Sequence, residues 1–373
     1  MRIVNQIISL FNIIKLNIKI FFFKKLDSNK KVIFFYHPRK LLTLIHTEYI
    51  EDLFNNFDEK TLIIFGHEII DLKKNNYYYI SQGFLFKFLF GIDIFISNNV
   101  CDVFTPKSIN IYLHHDISTT PLVSLKKELE LFNRLLKYNF IYAPYGASLE
   151  MFSKFFDKHS NNKIISLPKI YETGYLRLDY LKKKIKSERY LDNSIVIAPT
   201  DNRHLEGLSI FNDIEDLTNK VLNNKKFNII FRPYPANRSS ANEIYEQFKN
   251  NKRFTLDLSE NYFDIYSKSI CMITDTSGTA FTYAFLTKKP VIFFSKSEEL
   301  LIEYNYEKIP YFLEREKIGV IANNTDEVLK ALSNISNIEK NKYETNIKLE
   351  NEIKYLGNSK ERISNLLKET LKS

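Results

Sequence analysis

The stretch Ile270-Cys271-Met272-Ile273-Thr274-Asp275-Thr276-Ser277-Gly278-Thr279, continued by AFTYAFLTKKPVIFF to Phe294, reads as apolar strand, polar turn, helix and second apolar strand. A strand that runs into a helix and then into another apolar run is the repeating unit of a parallel sheet wound by helices. The turn from Asp275 to Thr279 falls where the first backbone N–H groups of a helix lack intrahelical partners, at the positive end of the helix dipole. Gly278 lets an anion approach that backbone closely, and the hydroxyls of Ser277 and Thr279 complete a cradle for it. A plain side-chain cap by Thr276 or Ser277, worth about 1 kcal/mol, is the alternative.

The same rhythm extends in both directions. Downstream of residue 193 the strands are read as Ser194–Ala198, Asn228–Phe231, Arg253–Leu256, Ile270–Thr274 and Pro290–Phe294, with helices near 211–224, 239–250, 278–287 and 325–335. Upstream, Val32–Tyr36, Thr61–Phe65, Asp93–Ile96, Ile109–Leu113 and Phe140–Ala143 read as buried strands, with helices over Leu125–Lys137 and Ala147–Phe156. The polar run 181–193, LKKKIKSERYLDN, interrupts the pattern and marks the connection between two domains. The expected division is therefore a basic amphipathic segment 1–26, a Rossmann-like domain 27–186, a second Rossmann-like domain 187–338, and a C-terminal helix 339–373. The fold class is α/β: two parallel sheets whose carboxyl ends, where open α/β sheets bind ligands, face a cleft.

Composition agrees with that reading and narrows the class of function. A chain of 373 residues, at about 150 per domain, has room for two cores. Nine glycines and ten prolines exclude collagen-like or Pro/Gly-driven disorder. Lys plus Arg exceed Asp plus Glu by 53 to 44, a net charge of +9 that favours an acidic partner such as a phosphate, a nucleotide or an anionic membrane. The Lys, Asn and Ile richness also fits an AT-rich coding sequence, so the charge is weighted down. No RRM, helix-turn-helix or zinc signature organises the basic residues, so nucleic acid is not the expected partner. Cys101 and Cys271 stand apart without a CxxC spacing, which points to a reducing, cytoplasmic setting.

Residues 1–26, MRIVNQIISLFNIIKLNIKIFFFKKL, are largely apolar, but Arg2, Lys15, Lys19, Lys24 and Lys25 interrupt them. A bilayer span needs about 18–20 clean apolar positions, so this segment is not expected to cross. It suits either a first helix packed on the protein's own core or a helix lying in a membrane plane with Lys heads near anionic lipid. No small-residue cleavage site follows it.

Candidate chemistry gathers at strand ends. Arg232 in Phe231-Arg232-Pro233-Tyr234-Pro235 is delivered by the strand NIIF and held by prolines, a placement suited to a bidentate phosphate contact. Ala198-Pro199-Thr200-Asp201-Asn202-Arg203-His204 is another strand end followed by polar groups. In the first half, Ile109–Leu113 leads to His114-His115-Asp116; neighbouring side chains on an extended chain point oppositely, and His115, with Asp116 beside it, is taken as the general base. His114 then faces the core. No further clustered ligand supports a metal site there. His37 and Arg39, after the first strand, and His67 and Glu68, after the second, are candidates for holding an acceptor.

In this order the motifs resemble the CDP-glycerol glycerophosphotransferase family, the teichoic-acid type polymerases and primases of GT-B architecture. Ala198-Pro199-Thr200 with Arg203 is similar to the family's Ala-Pro-Thr and Arg; Thr173-Gly174-Tyr175-Leu176-Arg177-Leu178-Asp179 resembles its Thr-Gly-Tyr-x-Arg-x-Asp. Arg232-Pro233-Tyr234-Pro235 resembles Arg-Pro-His-Pro, and Thr274-Asp275-Thr276-Ser277-Gly278 resembles Thr-Asp-x-Ser-Ser. The family's His-Gly-Thr-Pro is matched loosely, by His115 and by Thr120-Pro121. The similarity spans about residues 109–300. Tyr234 stands where the family has a second histidine, and Gly278-Thr279 replaces the second serine. A phenol donates a hydrogen bond but carries no positive charge, so stabilisation of phosphate shifts to Arg232 and the helix start.

The resemblance implies that domain 27–186 serves the acceptor and domain 187–338 the nucleotide donor. His115 would deprotonate an acceptor hydroxyl, which attacks the β-phosphorus of a CDP-alditol and releases CMP, with no cofactor or metal. Thr200, Arg203, Arg232, Tyr234 and Asp275 to Thr279 would hold the donor. The implied acceptor is a glycan or a lipid-linked chain, and the setting is cell-surface polymer or capsule synthesis at the inner face of a membrane. Two readings stay open beside it: a GT-B glycosyltransferase or related nucleotide-sugar enzyme, and a non-catalytic peripheral membrane protein.

Overall fold

The structure, a computed structural model, describes residues 2–37, 48–68, 76–80, 83–117, 128–160, 166–184, 193–201, 207–259, 262–304 and 309–372. The chain forms two compact units. The first comprises Met1–His115, Lys127–Leu176 and Gly357–Ser373; the second comprises Asp116–Lys126 and Arg177–Leu356.

The first unit begins with helix α1 (Arg2–Lys25) and is built on strands β1 (Lys31–His37), β2 (Thr61–His67), β3 (Tyr77–Tyr79), β4 (Ile94–Ser97), β5 (Ile109–Leu113), β6 (Phe140–Ala143) and β7 (Lys169–Glu172). They form one parallel sheet in the order β3-β2-β1-β4-β5-β6-β7, so the winding direction reverses between β1 and β4. Helices α2 (Glu128–Leu135) and α3 (Gly146–Ser160) flank β6 in sequence. The central strands are apolar on both faces, as β1 shows: six of its seven residues are buried, because helices or loops cover both sides of a parallel sheet. Phe34, Tyr36, Phe86 and Phe95 pack ring to ring, with Phe34 and Phe95 fully buried. Each such side chain contributes about 1.5–3 kcal/mol. Gly66 in β2 is required by this packing, since a Cβ there would overlap the Phe34 ring.

The second unit repeats the plan. Helix α4 (Leu176–Lys184) leads to β8 (Ser194–Ile197), α5 (Ile214–Asn223), β9 (Asn228–Phe231), α6 (Arg238–Phe248) and β10 (Phe254–Leu256). Then follow α7 (Phe263–Lys268), β11 (Ser269–Thr274), α8 (Thr279–Thr287), β12 (Val291–Phe294), α9 (Glu298–Glu303), α10 (Pro310–Ile318), β13 (Gly319–Ala322), α11 (Thr325–Ser333) and α12 (Ile335–Asn351). The parallel order is β10-β9-β8-β11-β12-β13, reversing between β8 and β11. All four residues of β8 and of β12 are buried, and Ile195, Ile197, Phe231, Ile273 and Ile292 meet Leu217, Val221 and Val328 in one core. Helix α13 (Ser359–Lys372) returns to the first unit, where Ile363 and Leu367 are buried and Lys360 pairs with Asp52 at 2.9 Å.

The two Rossmann-type sheets expected from the alternation are present. The details differ at several places. Residues 181–184, assigned to the domain connection, belong to α4: Leu178 and Leu181 are buried and Lys182 pairs with Glu350, so the lysine run is the exposed last turn of a helix. The units part at Leu176 and Arg177, and residues 185–192 lie outside the described residues. The single C-terminal helix over 339–373 is two, α12 and α13, divided between the units. The helix expected over Leu125–Lys137 is described from Glu128 to Leu135.

Candidate active site

In the second unit the site is organised by the two loops at the sheet's reversal point. β8 ends into Ala198-Pro199-Thr200 and β11 into Asp275–Gly278. The Thr274 hydroxyl donates to the Ala198 carbonyl at 2.6 Å. Asp275 goes further: its carboxylate accepts the Thr200 N–H at 2.8 Å and the Ile210 N–H at 3.0 Å, and its carbonyl accepts the Tyr311 hydroxyl. Asp275 is 2% exposed, so it braces the loops instead of meeting a ligand as a surface group. Burial pushes its carboxyl up to about 6, with the backbone N–H groups of Ile210, Thr200 and Thr276 pulling the other way.

The helix start behind this brace has the expected geometry. Gly278 occupies the cap position of α8, and no side-chain capping bond is made there, so the plain cap by Thr276 or Ser277 is absent. Ser277, Gly278 and Thr279 are half-buried, while the Thr276 hydroxyl is buried without a hydrogen-bond partner among the described residues. A buried, unsatisfied hydroxyl is uncommon and marks a place where a ligand or water would complete the bonding. Asp116 belongs to the same unit, and its carboxylate stands against Gly278 so closely that any Cβ at that position would overlap both oxygens.

Arg232 follows β9 as expected, its N–H donating to the Ile197 carbonyl at 2.9 Å. Its guanidinium, however, is already engaged: it pairs with Asp257, donates to the Ser259 carbonyl at 3.0 Å, and lies over the Tyr262 ring at 5.3 Å. The expected open fork toward a phosphate is thus a partly neutralised cation. A second guanidinium joins it. Arg177, from the Thr-Gly-Tyr-x-Arg-x-Asp motif but not among the expected site residues, lies over the same ring at 5.2 Å and donates from Nε to the Tyr262 hydroxyl at 2.8 Å. Tyr266 is hydrogen-bonded to Thr279 at 2.6 Å; burial raises its pKa, while Arg232 and Arg177 oppose that rise. Two cations therefore act on Tyr266, whose hydroxyl is bonded to Thr279, the first residue of α8. Tyr234 is half-buried, and its carbonyl accepts the Asn237 N–H at 2.8 Å.

In the first unit His115 follows β5. Its Nδ1–H donates to the Asn98 carbonyl at 2.5 Å. A carbonyl only accepts, so in the neutral ring the lone pair lies on Nε2, the tautomer a general base needs. Asn98, fully buried after β4, has no signal in the sequence for this role because it acts through its backbone oxygen. Its side-chain Nδ2 is also buried without a partner among the described residues. His114 is buried against Tyr112 and Phe152, as expected for the core-facing member of the pair. His37 and His67 close β1 and β2 as register neighbours and are 3% and 1% exposed. His37 Nδ1 meets Asn99 Nδ2 at 3.4 Å, and the Tyr36 hydroxyl donates to Glu68 at 3.2 Å, with burial raising the Glu68 pKa. Arg39, Arg203, Thr120 and Pro121 lie outside the described residues.

Among the described residues no group of three His, Cys, Asp or Glu side chains is placed to hold a metal ion. Both cysteines are buried free thiols, and burial pushes Cys101 up to about 11.

Two Rossmann-type units with polar and basic groups at their sheet ends define an α/β protein of GT-B type. The chain belongs to the CDP-glycerol:poly(glycerophosphate) glycerophosphotransferase family, whose profile matches residues 110–369, and it is a glycerophosphotransferase-like enzyme. Its fold is similar to that of the wall teichoic acid polymerase TagF, at 16% identity and a TM-score of 0.62, with 99% of this chain and 98% of that chain covered. A variant of that polymerase soaked with CDPG matches at 18% identity and a TM-score of 0.60, again covering 99% and 98%. The UDP-GlcNAc 2-epimerase from Neisseria meningitidis bound to UDP-GlcNAc matches at 14% identity and a TM-score of 0.60, covering 91% of this chain and all of that chain. No curated protein sequence matches.

The Asp275 brace is testable by its titration. With a folded pKa of about 6 against an unfolded value of about 3.9, the folded state binds the proton more tightly. That contribution is full below about pH 4 and is lost as pH rises through 6, a change of about 2 kcal/mol between pH 4.5 and 7.5. Asp275→Asn removes the titration and leaves one N–H without an acceptor. Its stability deficit, measured by denaturant unfolding, is expected to shrink by that amount from pH 4.5 to 7.5; a constant deficit would refute the assignment.

Proposed function

We propose that the protein transfers a glycerol phosphate, or a related alditol phosphate, from a CDP-activated donor to an acceptor hydroxyl and releases CMP. The family match across residues 110–369 carries this reading, because it contains His115, Arg177, Arg232 and the whole 274–279 segment. The acceptor in this reading is a glycan or lipid-linked chain, and the setting is polymer synthesis at the cytoplasmic face of a membrane. His37, His67 and Glu68 are assigned to the acceptor side.

The donor diphosphate seats on the N–H groups at the start of α8, with the Thr276 hydroxyl as an added donor and Arg177 and Arg232 supplying positive potential. Asp116 gives up its place over Gly278 as the diphosphate arrives, since two anions at one helix start repel. His115 Nε2 accepts the acceptor's proton while its Nδ1–H stays on Asn98; the acceptor oxygen forms its bond to the β-phosphorus as the bond to the CMP oxygen breaks. Positioning and fixed potential supply most of the acceleration, as in other phosphoryl transfers. No metal ion or cofactor takes part in this scheme.

Three substitutions separate the roles. His115→Ala is expected to lower turnover of labelled CDP-glycerol or CDP-ribitol by about 100-fold or more while CMP binding, read by thermal shift, stays within a few fold. Transfer of a sugar with release of a nucleoside diphosphate would instead favour a glycosyltransferase. Asp116→Asn is expected to tighten CMP and CDP binding several-fold; unchanged affinity would remove Asp116 from the donor seat. Thr276→Val keeps the shape and deletes an unsatisfied hydroxyl, so it should fold at least as stably yet bind CDP about tenfold more weakly. Undiminished affinity would place the diphosphate elsewhere.

A further inference from the structure

Helix α1 has two apolar stripes, and only one of them is buried. Its buried stripe, Ser9, Ile13, Leu16 and Ile20, is flanked by polar residues that bond to the first unit. Asn12 donates to the Tyr79 carbonyl at 2.9 Å; Asn17 donates to the Phe88 carbonyl at 2.7 Å and accepts the Phe90 N–H at 2.9 Å. Lys19 reaches Asn76 at 2.6 Å, and Lys24 pairs with Asp93 at 2.8 Å. The opposite stripe carries Val4, Ile7, Phe11, Ile14, Ile18 and Phe22, spaced three and four apart, each about half exposed or more. Beside Asn17, the 3-10 turn Gly83–Phe88 and the residues after it add Phe84, Phe88 and Phe90, each more than half exposed. Soluble proteins rarely leave so large a continuous apolar patch uncovered, and where they do it marks an interaction surface.

We propose that this face, the outward stripe of α1 together with Phe84, Phe88 and Phe90, lies in the interface of an anionic bilayer with the helix parallel to the membrane plane. The basis for lipid is charge. Helix α1 carries Arg2, Lys15, Lys19, Lys24 and Lys25 and no acidic residue, and Lys15, Lys25 and Lys87 are exposed around the apolar stripe. A second copy of the chain across a two-fold axis would set those lysines against themselves, whereas phosphate headgroups neutralise them. The basis for an in-plane helix is its docking. By length and a mean hydropathy of 1.5 the helix is apolar enough to cross a membrane. Crossing would tear Asn12, Asn17, Lys19 and Lys24 from their partners and place them in hydrocarbon, where unpaired polar groups are expensive. Lying flat keeps every one of those bonds. This inference supplies the surface for the membrane setting of the proposed reaction; because its test reads binding and not turnover, either can fail without the other.

The chain contains no tryptophan, so a single introduced indole is a clean reporter. The full-length variants Phe11→Trp, Phe22→Trp and Phe88→Trp are titrated with vesicles of phosphatidylcholine with and without phosphatidylglycerol; Tyr343→Trp on α12 is the control. The first three should shift to the blue and be quenched by lipids brominated at one common depth, with binding several-fold tighter to the anionic vesicles, while the control stays unshifted. Positions 11 and 22 are ~16 Å apart along the helix axis, so depths differing by that much would show a spanning helix and overturn the proposal. Ile14→Glu with Ile18→Glu should weaken vesicle binding at least tenfold with unchanged circular dichroism; wild-type binding by that variant would overturn it. So would an absence of any shift, equal binding to neutral and anionic vesicles, or a concentration-dependent dimer, abolished by the same double substitution, in place of vesicle binding.

Discussion

A buried carboxylate at the turning point of a parallel sheet holds the second unit's site in register. Asp275 sits where β8 and β11 diverge, and there the strand ends leave backbone N–H groups with no neighbouring strand to take them. Its two oxygens collect the N–H groups of Thr200 and Ile210, and its own carbonyl takes the Tyr311 hydroxyl. Burying a charge without such partners costs far more than the bonds return. The converse also holds: once the N–H groups have closed on the carboxylate, the loops cannot separate without exposing it unpaired. The position of the α8 start relative to β8 follows from that constraint, and so does the direction in which Thr276 to Thr279 present their donors.

Around this brace the positive charge is arranged by an aromatic ring. Tyr262 receives two guanidiniums, Arg177 and Arg232, which would repel each other if left unscreened. Asp257 and the Ser259 carbonyl hold Arg232 from the far side, and the Tyr262 hydroxyl holds Arg177. Both cations are thus fixed before any ligand arrives, and a fixed dipole or charge needs no reorganisation when it acts on a developing charge.

Much of this architecture is legible in the sequence, and the failures have physical causes. Ile109–Leu113, Phe140–Ala143 and Asn228–Phe231 stand where their apolar runs indicate, because central parallel strands are covered on both faces. The unread strands β3, β7 and β13 all lie at sheet edges. There only one neighbour is bonded and polar residues such as Lys169 and Glu172 are tolerated, so the apolar signal fades. Helix α4 was hidden by Lys182–Lys184, whose polarity is shared by linkers and by the wet faces of helices. The site shows the same division. His115 and the 274–279 segment are visible as residue types, but Asn98 acts through a carbonyl and Asp275 through backbone N–H groups contributed by residues 200 and 210, and no residue type announces either. Arg177 gains its role from Tyr262, 85 positions along the chain.

Helix α1 shows where a periodicity argument stops. A helical wheel separates its apolar and polar residues but does not say which side faces the protein, and burial normally decides that in favour of the apolar side. Here the unit offers carbonyls of Tyr79 and Phe88, the Phe90 N–H and the Asp93 carboxylate along the groove that receives the helix. Those groups would stay unpaired under an all-apolar helix face. Asn12, Asn17, Lys19 and Lys24 satisfy them from the borders of the buried Ile13, Leu16 and Ile20 stripe, and the helix's second apolar stripe, with Phe11, Ile14, Ile18 and Phe22, faces outward. The polarity of the groove, written in backbone groups some seventy residues downstream, therefore sets the character of the face the protein turns away from itself.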